Sequence, residues 1–217
     1  ERGLLSETEV LSGCIATFAL GVGLGLYIVS QVGWLILLVG LMSVLVAILY
    51  SAGPRPIGSI GLGEITVFLF MGPLIVISSY YVQTESISWS PFWISLPVGF
   101  LVTAILHCNN MRDLEEDKQS GKHTLVTLSG RTRGRWIYVV LLAATYTSLV
   151  VIVALGHSPI TMLIGTLAVP SAIRLMTVVH RSQDMRSLSE ALMGTAKLHT
   201  LTGLLMITGL VIDIVFL

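Results

Sequence analysis

The chain has 217 residues, of which 54% are hydrophobic and only 11% are Asp, Glu, Lys or Arg. Soluble domains carry about 25% charged residues, so this balance excludes a water-soluble globular protein and equally an aqueous disordered segment. Twelve basic and twelve acidic side chains cancel, which argues against a nucleic-acid partner, and a mean hydropathy of +0.88 places the chain in a lipid bilayer as an integral membrane protein.

In chain order, apolar runs cover residues 9–30, 33–50, 64–83, 92–108, 136–155, 160–179 and 198–216. Each approaches the roughly 17 to 25 residues that cross about 30 Å of hydrocarbon. The predicted fold is therefore all-α, a multi-pass transmembrane helical bundle with seven spans. Glu7 and Glu9 flank the first run with a single Arg2 before them, the wrong charge pattern for a secretory signal peptide. Ser6 precedes Glu9 by three residues, the spacing of a capping box. Pro91 and Pro159 stand just ahead of the fourth and sixth runs, where a missing N–H is harmless at a helix start. Residues 84–90 are serine-rich and form a short loop. Cys14 and Cys108 lie inside apolar runs without metal-ligand spacing and are expected to be buried small hydrophobes.

Seven spans put alternate connections on opposite sides, and all twelve Lys and Arg residues belong to one of them, including Arg2, Arg55, the group from 112 to 135, Arg174, Arg181, Arg186 and Lys197. The opposite connections, around Gln31, Glu85 and His157, hold none. The positive-inside rule then makes the Arg-bearing loops cytoplasmic. Trp34, Trp89, Trp93 and Trp136 near run ends suit interfacial anchors.

Residues 109–135 hold six basic and four acidic side chains directly after an apolar run. If the fourth helix continues past the membrane surface, Asn109, Asp113 and Asp117 recur every four residues on one face, with Glu116 beside them. Two carboxylates and an amide oxygen suit Mg²⁺, which takes few protein ligands and completes its shell with water and phosphate. Lys118, Lys122, Arg131, Arg133 and Arg135 follow and can meet remaining phosphate charge. Composition alone equally describes a solvated loop.

A second unusual stretch, residues 50–64, reads Y-S-A-G-P-R-P-I-G-S-I-G-L-G-E. Its glycines and prolines specify either a compact loop that brings backbone close to a ligand, with Arg55 as the positive charge, or a plain tight turn. Glu64 opens the third helix, where the helix dipole favours a carboxylate in any case. His107, His123, His157, His180 and His199 show no ligand spacing.

Asn109-Asn110-Met111-Arg112-Asp113, with Asp117, Gly121-Lys122 and Thr124-Leu125 after it, resembles the second aspartate-rich motif of the UbiA superfamily of intramembrane prenyltransferases. Residues 50–64 resemble the loop of one branch, the 1,4-dihydroxy-2-naphthoate polyprenyltransferases of menaquinone and phylloquinone synthesis. The seven runs match the last seven of that family's nine helices, so residues 1–217 are expected to be a single prenyltransferase domain lacking the first two helices. The family's earlier aspartate-rich motif has no counterpart before Leu11, and residues 2–6 resemble the segment just after it. The resemblance implies a Mg²⁺-dependent enzyme that takes a polyprenyl diphosphate and an aromatic acceptor. Asn109, Asp113 and Asp117 would hold metal, Asp113, Asp117 and Lys122 would be catalytic, and Tyr50, Arg55, Asn110, Arg112 and Lys122 would bind substrate. Acceptors such as 4-hydroxybenzoate, homogentisate or haem are the nearest alternative. A small transporter is a more distant one, since ionisable residues in the runs (Glu9, Glu64, Arg174 and Asp213) all sit close to run ends.

Overall fold

A computed structural model describes residues 6–182 and 184–216, and these contain seven helical segments long and apolar enough to span a membrane. Arg2 and the resemblance at residues 2–5 lie outside them. The first span is α1 (Glu7–Val32) and the second α2 (Trp34–Ser51). The capping box at the start of α1 is present: the Glu9 backbone N–H donates to Ser6 Oγ, and the Ser6 N–H donates to Glu9 Oε2 at 2.7 Å. Neither helix buries a residue against the others, and Cys14 is exposed on α1. The expected burial of Cys14 is thus corrected: an apolar surface beside lipid tails gains nothing by turning inward. Cys108 is buried as expected.

The third span departs from a plain helix. It runs as α3 (Gly63–Leu69), a π-helical turn (Phe70–Leu74) and α4 (Ile75–Thr84). Pro73 has no N–H to donate, and the wider turn around it absorbs the break. At that turn the third span meets the fourth, α5 (Ser90–Arg112), backbone against backbone. A Cβ on Gly72 would lie 2.8 Å from the Gly99 Cα, so the crossing tolerates no side chain there.

Beyond α5 come two short helices, α6 (Leu114–Gln119) and α7 (Leu125–Ser129), then α8 (Arg131–Ala154). The sixth span starts as nine residues of 3₁₀ helix (Ile160–Ala168) and continues as α9 (Val169–Arg181). The last helix, α10 (Met185–Phe216), starts thirteen residues before the apolar run at 198–216. Its charged first turns stand outside the hydrocarbon, where hydropathy gives no signal. Asp184 stands just before it, accepting from the Ser187 N–H at 2.7 Å, and that bond holds its carboxyl below the ordinary Asp range.

The core lies among α5, α8, α9 and α10. Leu101, Ala104, Cys108 and Met111 recur every three or four residues on α5, and Tyr138, Leu142, Tyr146 and Leu149 do the same on α8. Two hydroxyl pairs tie α8 to α10: Tyr138 to Thr195 at 2.7 Å and Tyr146 to Thr202 at 3.1 Å. Such bonds matter between spans, because lipid supplies no hydrophobic drive for helices to associate.

Candidate active site

The charged segment is built as a continuation of α5 with one break. Helix α5 ends at Arg112, Asp113 adopts a non-helical backbone, and α6 resumes at Leu114, yet the Asp117 N–H still donates to the Asp113 carbonyl at 2.8 Å. The expected uninterrupted helix is therefore broken at Asp113, while the four-residue step between the two aspartates survives.

These side chains form two adjoining sets. In the first, the Arg112 guanidinium forks across Asp113, with Nε at 2.6 Å from Oδ1 and one terminal nitrogen at 2.8 Å from Oδ2. That terminal nitrogen also donates to Asn109 Oδ1 at 2.9 Å, and the Asn109 amide donates to Asp113 Oδ2 at 3.1 Å. In the second, Lys122 Nζ donates to Asp117 Oδ1 at 3.1 Å. Asp117 is buried, and its Oδ2 has no hydrogen-bond partner. A buried carboxylate oxygen left unpaired is costly. A cation beside it removes that cost, so Asp117 fits a divalent metal, whereas the oxygens of Asn109 and Asp113 are engaged by Arg112, and no cluster of three His, Cys, Asp or Glu exists among the described residues. Glu116, beside this face, is exposed.

Lys122 is positioned by its loop. Gly121 takes φ +71, a left-handed conformation that reverses the chain after α6, and the Lys122 N–H then bonds the Asp117 carbonyl at 2.8 Å. Thr124 caps α7 by accepting from the Thr127 N–H.

The glycine-proline loop folds onto this segment. The His123 N–H donates to the Ser59 carbonyl at 3.1 Å, an isolated bridge pairs Ile60 with His123, and the Leu128 side chain closes over Gly61. Residue 123 thus joins the two stretches that stood out in the sequence. Arg55 is exposed at the other end of the loop and makes no hydrogen bond or ion pair with another described residue. Tyr50 packs its ring against Gly58, with its hydroxyl beside Gly63 at the start of α3.

One buried set was not singled out from sequence. Glu64 Oε1 meets His107 Nδ1 at 3.1 Å and accepts from the Asn110 amide at 3.0 Å, while its Oε2 is buried without a partner. His107 Nε2 lies 2.8 Å from the Gly134 carbonyl and must donate to it. A neutral ring then has only a lone pair for Glu64, so a proton shared between Nδ1 and the carboxyl completes the contact. Asn110, expected to bind substrate, is held by this set. Its signal in the sequence was slight: an acidic residue at a helix start and a lone histidine 43 positions later.

Two apolar grooves border α2 and the third span, and the first of them reaches the site at Tyr50. One of about 520 Å³ runs from Tyr50 between α2 and the third span, walled by Val46, Phe70 and Leu74. Another of about 740 Å³ lies between α1, α2 and α4 and shares Val39 and Ile75 with the first.

Known proteins resemble this chain over most of its length. A Bacillus subtilis protein named 1,4-dihydroxy-2-naphthoate octaprenyltransferase is 30% identical over 212 residues, covering 98% of this chain and 68% of its own. The Escherichia coli protein of the same name is 32% identical over 218 residues, covering 97% and 70%. A mouse protein, UbiA prenyltransferase domain-containing protein 1, is 33% identical over 153 residues, or 70% of this chain and 44% of its own. Residues 1–201 match the UbiA prenyltransferase family as a whole, and the chain belongs to that family.

Proposed function

We propose that this protein transfers a polyprenyl group from its diphosphate to 1,4-dihydroxy-2-naphthoate with loss of carbon dioxide, in menaquinone synthesis at a bacterial plasma membrane. The observation that carries the reading is the contact of Ser59 with His123, which brings the glycine-proline loop and the acidic motif together at one end of the bundle. Relatives of that name in two bacteria support the choice of acceptor.

In the reaction, the bond from the allylic carbon to the diphosphate oxygen breaks, and its electron pair leaves with the diphosphate. The ring carbon that bears the carboxylate bonds to the allylic carbon. The pair from its bond to the carboxylate then returns to the ring as carbon dioxide departs, and no net proton is gained or lost. Asn109, Asp113 and Asp117 would hold Mg²⁺, which when bound neutralises charge developing on the diphosphate. Lys122 lies beside Asp117 and offers the diphosphate a mobile point charge. Arg112, whose fork is engaged by Asp113 here, is only partly buried and would turn to the same anion once Asp113 takes the metal. Arg55 stands between two prolines, free to meet the acceptor carboxylate, and Tyr50 lines the approach from the apolar groove, while Asn110 is buried against Glu64 and supports the motif from behind. That groove holds the prenyl chain and keeps water from a cation that water would quench.

Membranes containing the complete gene product test this directly. Supplied with a polyprenyl diphosphate, Mg²⁺ and acceptor labelled in its carboxylate, they should release labelled carbon dioxide in step with prenylated naphthol. Transfer only to 4-hydroxybenzoate or homogentisate would replace the acceptor. No prenylated product with any acceptor would overturn the enzyme reading. A transport reading is disfavoured, because Glu64 and His107 both lie near the motif end of their helices and not along a path at mid-membrane depth.

The basic loops face the cytoplasm in this reading. Ser120, exposed after α6, offers a check: in Ser120→Cys, an impermeant thiol reagent should label only after the cytoplasmic side is opened. Labelling of intact cells would reverse the orientation.

A further inference from the structure

Two cations stand apart from the site described above. Arg174 on α9 and Lys197 on α10 line one crevice of about 420 Å³ on the lateral surface, together with Ser171, Leu175, Val178 and Leu201. Both are exposed, and neither makes a hydrogen bond or ion pair with another described residue. Glu190 is the crevice's acidic residue, and its carboxylate is met by Arg186 at 3.4 Å. The crevice therefore keeps a positive excess between two membrane spans.

Their depth is set by the helices that carry them. Nine residues of 3₁₀ helix advance about 2.0 Å each and the α-helical residues after them about 1.5 Å each, which places the Arg174 backbone roughly 25 Å from Ile160. The hydrocarbon is about 30 Å thick, so the long Arg174 side chain reaches its boundary on the side of the aspartate motif. Lys197 immediately precedes the apolar run at 198–216, which is long enough to cross the hydrocarbon, and so meets the same boundary. Two positive side chains from neighbouring helices thus converge at the level of lipid phosphates, above walls of Leu and Val that face acyl chains.

We propose that Arg174 and Lys197 form a binding site for the phosphate headgroup of an anionic phospholipid in the leaflet on the motif side. The headgroup phosphate sits between the two cations with Ser171 beside it, and the acyl chains run along Leu175 and Leu201. Such a site holds an annular lipid between the sixth and seventh spans and leaves the prenyl grooves, on the opposite side of the third span, free. Charge complementarity selects the occupant: a zwitterionic headgroup brings its own ammonium, which the two cations repel.

The test uses the complete protein in nanodiscs of phosphatidylcholine containing about a quarter phosphatidylglycerol, with retained lipid counted by native mass spectrometry. Wild type should retain phosphatidylglycerol preferentially. The double variant Arg174→Gln/Lys197→Gln should lose about 30-fold in that preference, the factor that two cations near an anionic surface supply. Arg174→Lys/Lys197→Arg should keep most of it, because both positive charges remain in the crevice. Undiminished retention by the neutral double variant would overturn the site and leave two snorkelling side chains in contact with water. Equal displacement of the lipid by millimolar inorganic phosphate would overturn the lipid as its occupant.

Discussion

Asp117→Ala is expected to lower prenyl transfer by about 100-fold or more, while the protein still inserts and folds. Asp117 combines burial, one oxygen on Lys122 and a second oxygen with no partner, the arrangement in which a cation gains most from the protein. Removing one preorganised electrostatic contact to a leaving group costs rate on this scale. Folding is spared because Lys122, the partner left behind, is 42% exposed and can be solvated. Asp117→Asn keeps the shape and loses the charge, so it should be nearly as inactive. Asp113→Ala should fall similarly, since it removes the acceptor of the Arg112 fork as well as a ligand. The check is product formation by membranes at matched protein content, with the thermal midpoint in detergent held within a few degrees of wild type. Turnover near the wild-type rate would refute a ligand role and return residues 109–135 to a solvated loop.

The second large effect is on stability. Glu64→Ala removes the partner of His107 Nδ1 and of the Asn110 amide at once, in a place that water does not reach. Breaking a buried pair from one side costs about 3–5 kcal/mol, which for a chain of this size lowers the thermal midpoint by roughly 10 °C. Glu64→Gln retains an oxygen for Asn110 and should lose much less. A midpoint for Glu64→Ala within a degree or two of wild type would show that the set carries little of the fold. Activity should fall with stability in the alanine variant, because Asn110 adjoins Asn109 of the metal motif and shares its backbone.

The seven spans were legible because crossing a bilayer needs a long apolar helix with its backbone groups paired internally, a requirement that stands in the residue order. The capping box at Ser6 was legible for a similar reason: both partners lie within one turn. Errors arose where hydropathy has no opinion. It missed the polar first turns of α10 and the 3₁₀ start of the sixth span, and it placed Cys14 in a core when an apolar face beside lipid remains outside. The interruption at Asp113 was equally invisible, since nothing in Arg112-Asp113-Leu114 forbids a helix.

For the site, residue types and spacing were enough to mark Asn109, Asp113, Asp117 and Lys122, because the four lie within fourteen positions and helical geometry relates the first three. Their pairing was not, since a carboxylate beside several cations has many possible partners. The fork of Arg112 over Asp113 and the reach of Lys122 to Asp117 depend on the break after α5 and on the left-handed turn at Gly121. Glu64 and His107 belong to different spans, and only the packing of α3 against α5 brings an acid, an imidazole and an amide to one point. The same holds for Ser59 with His123, and for Arg174 with Lys197. Local order in this chain follows from periods of three or four residues, whereas contacts between spans follow from which faces meet, and a pattern confined to one helix carries no information about its neighbour.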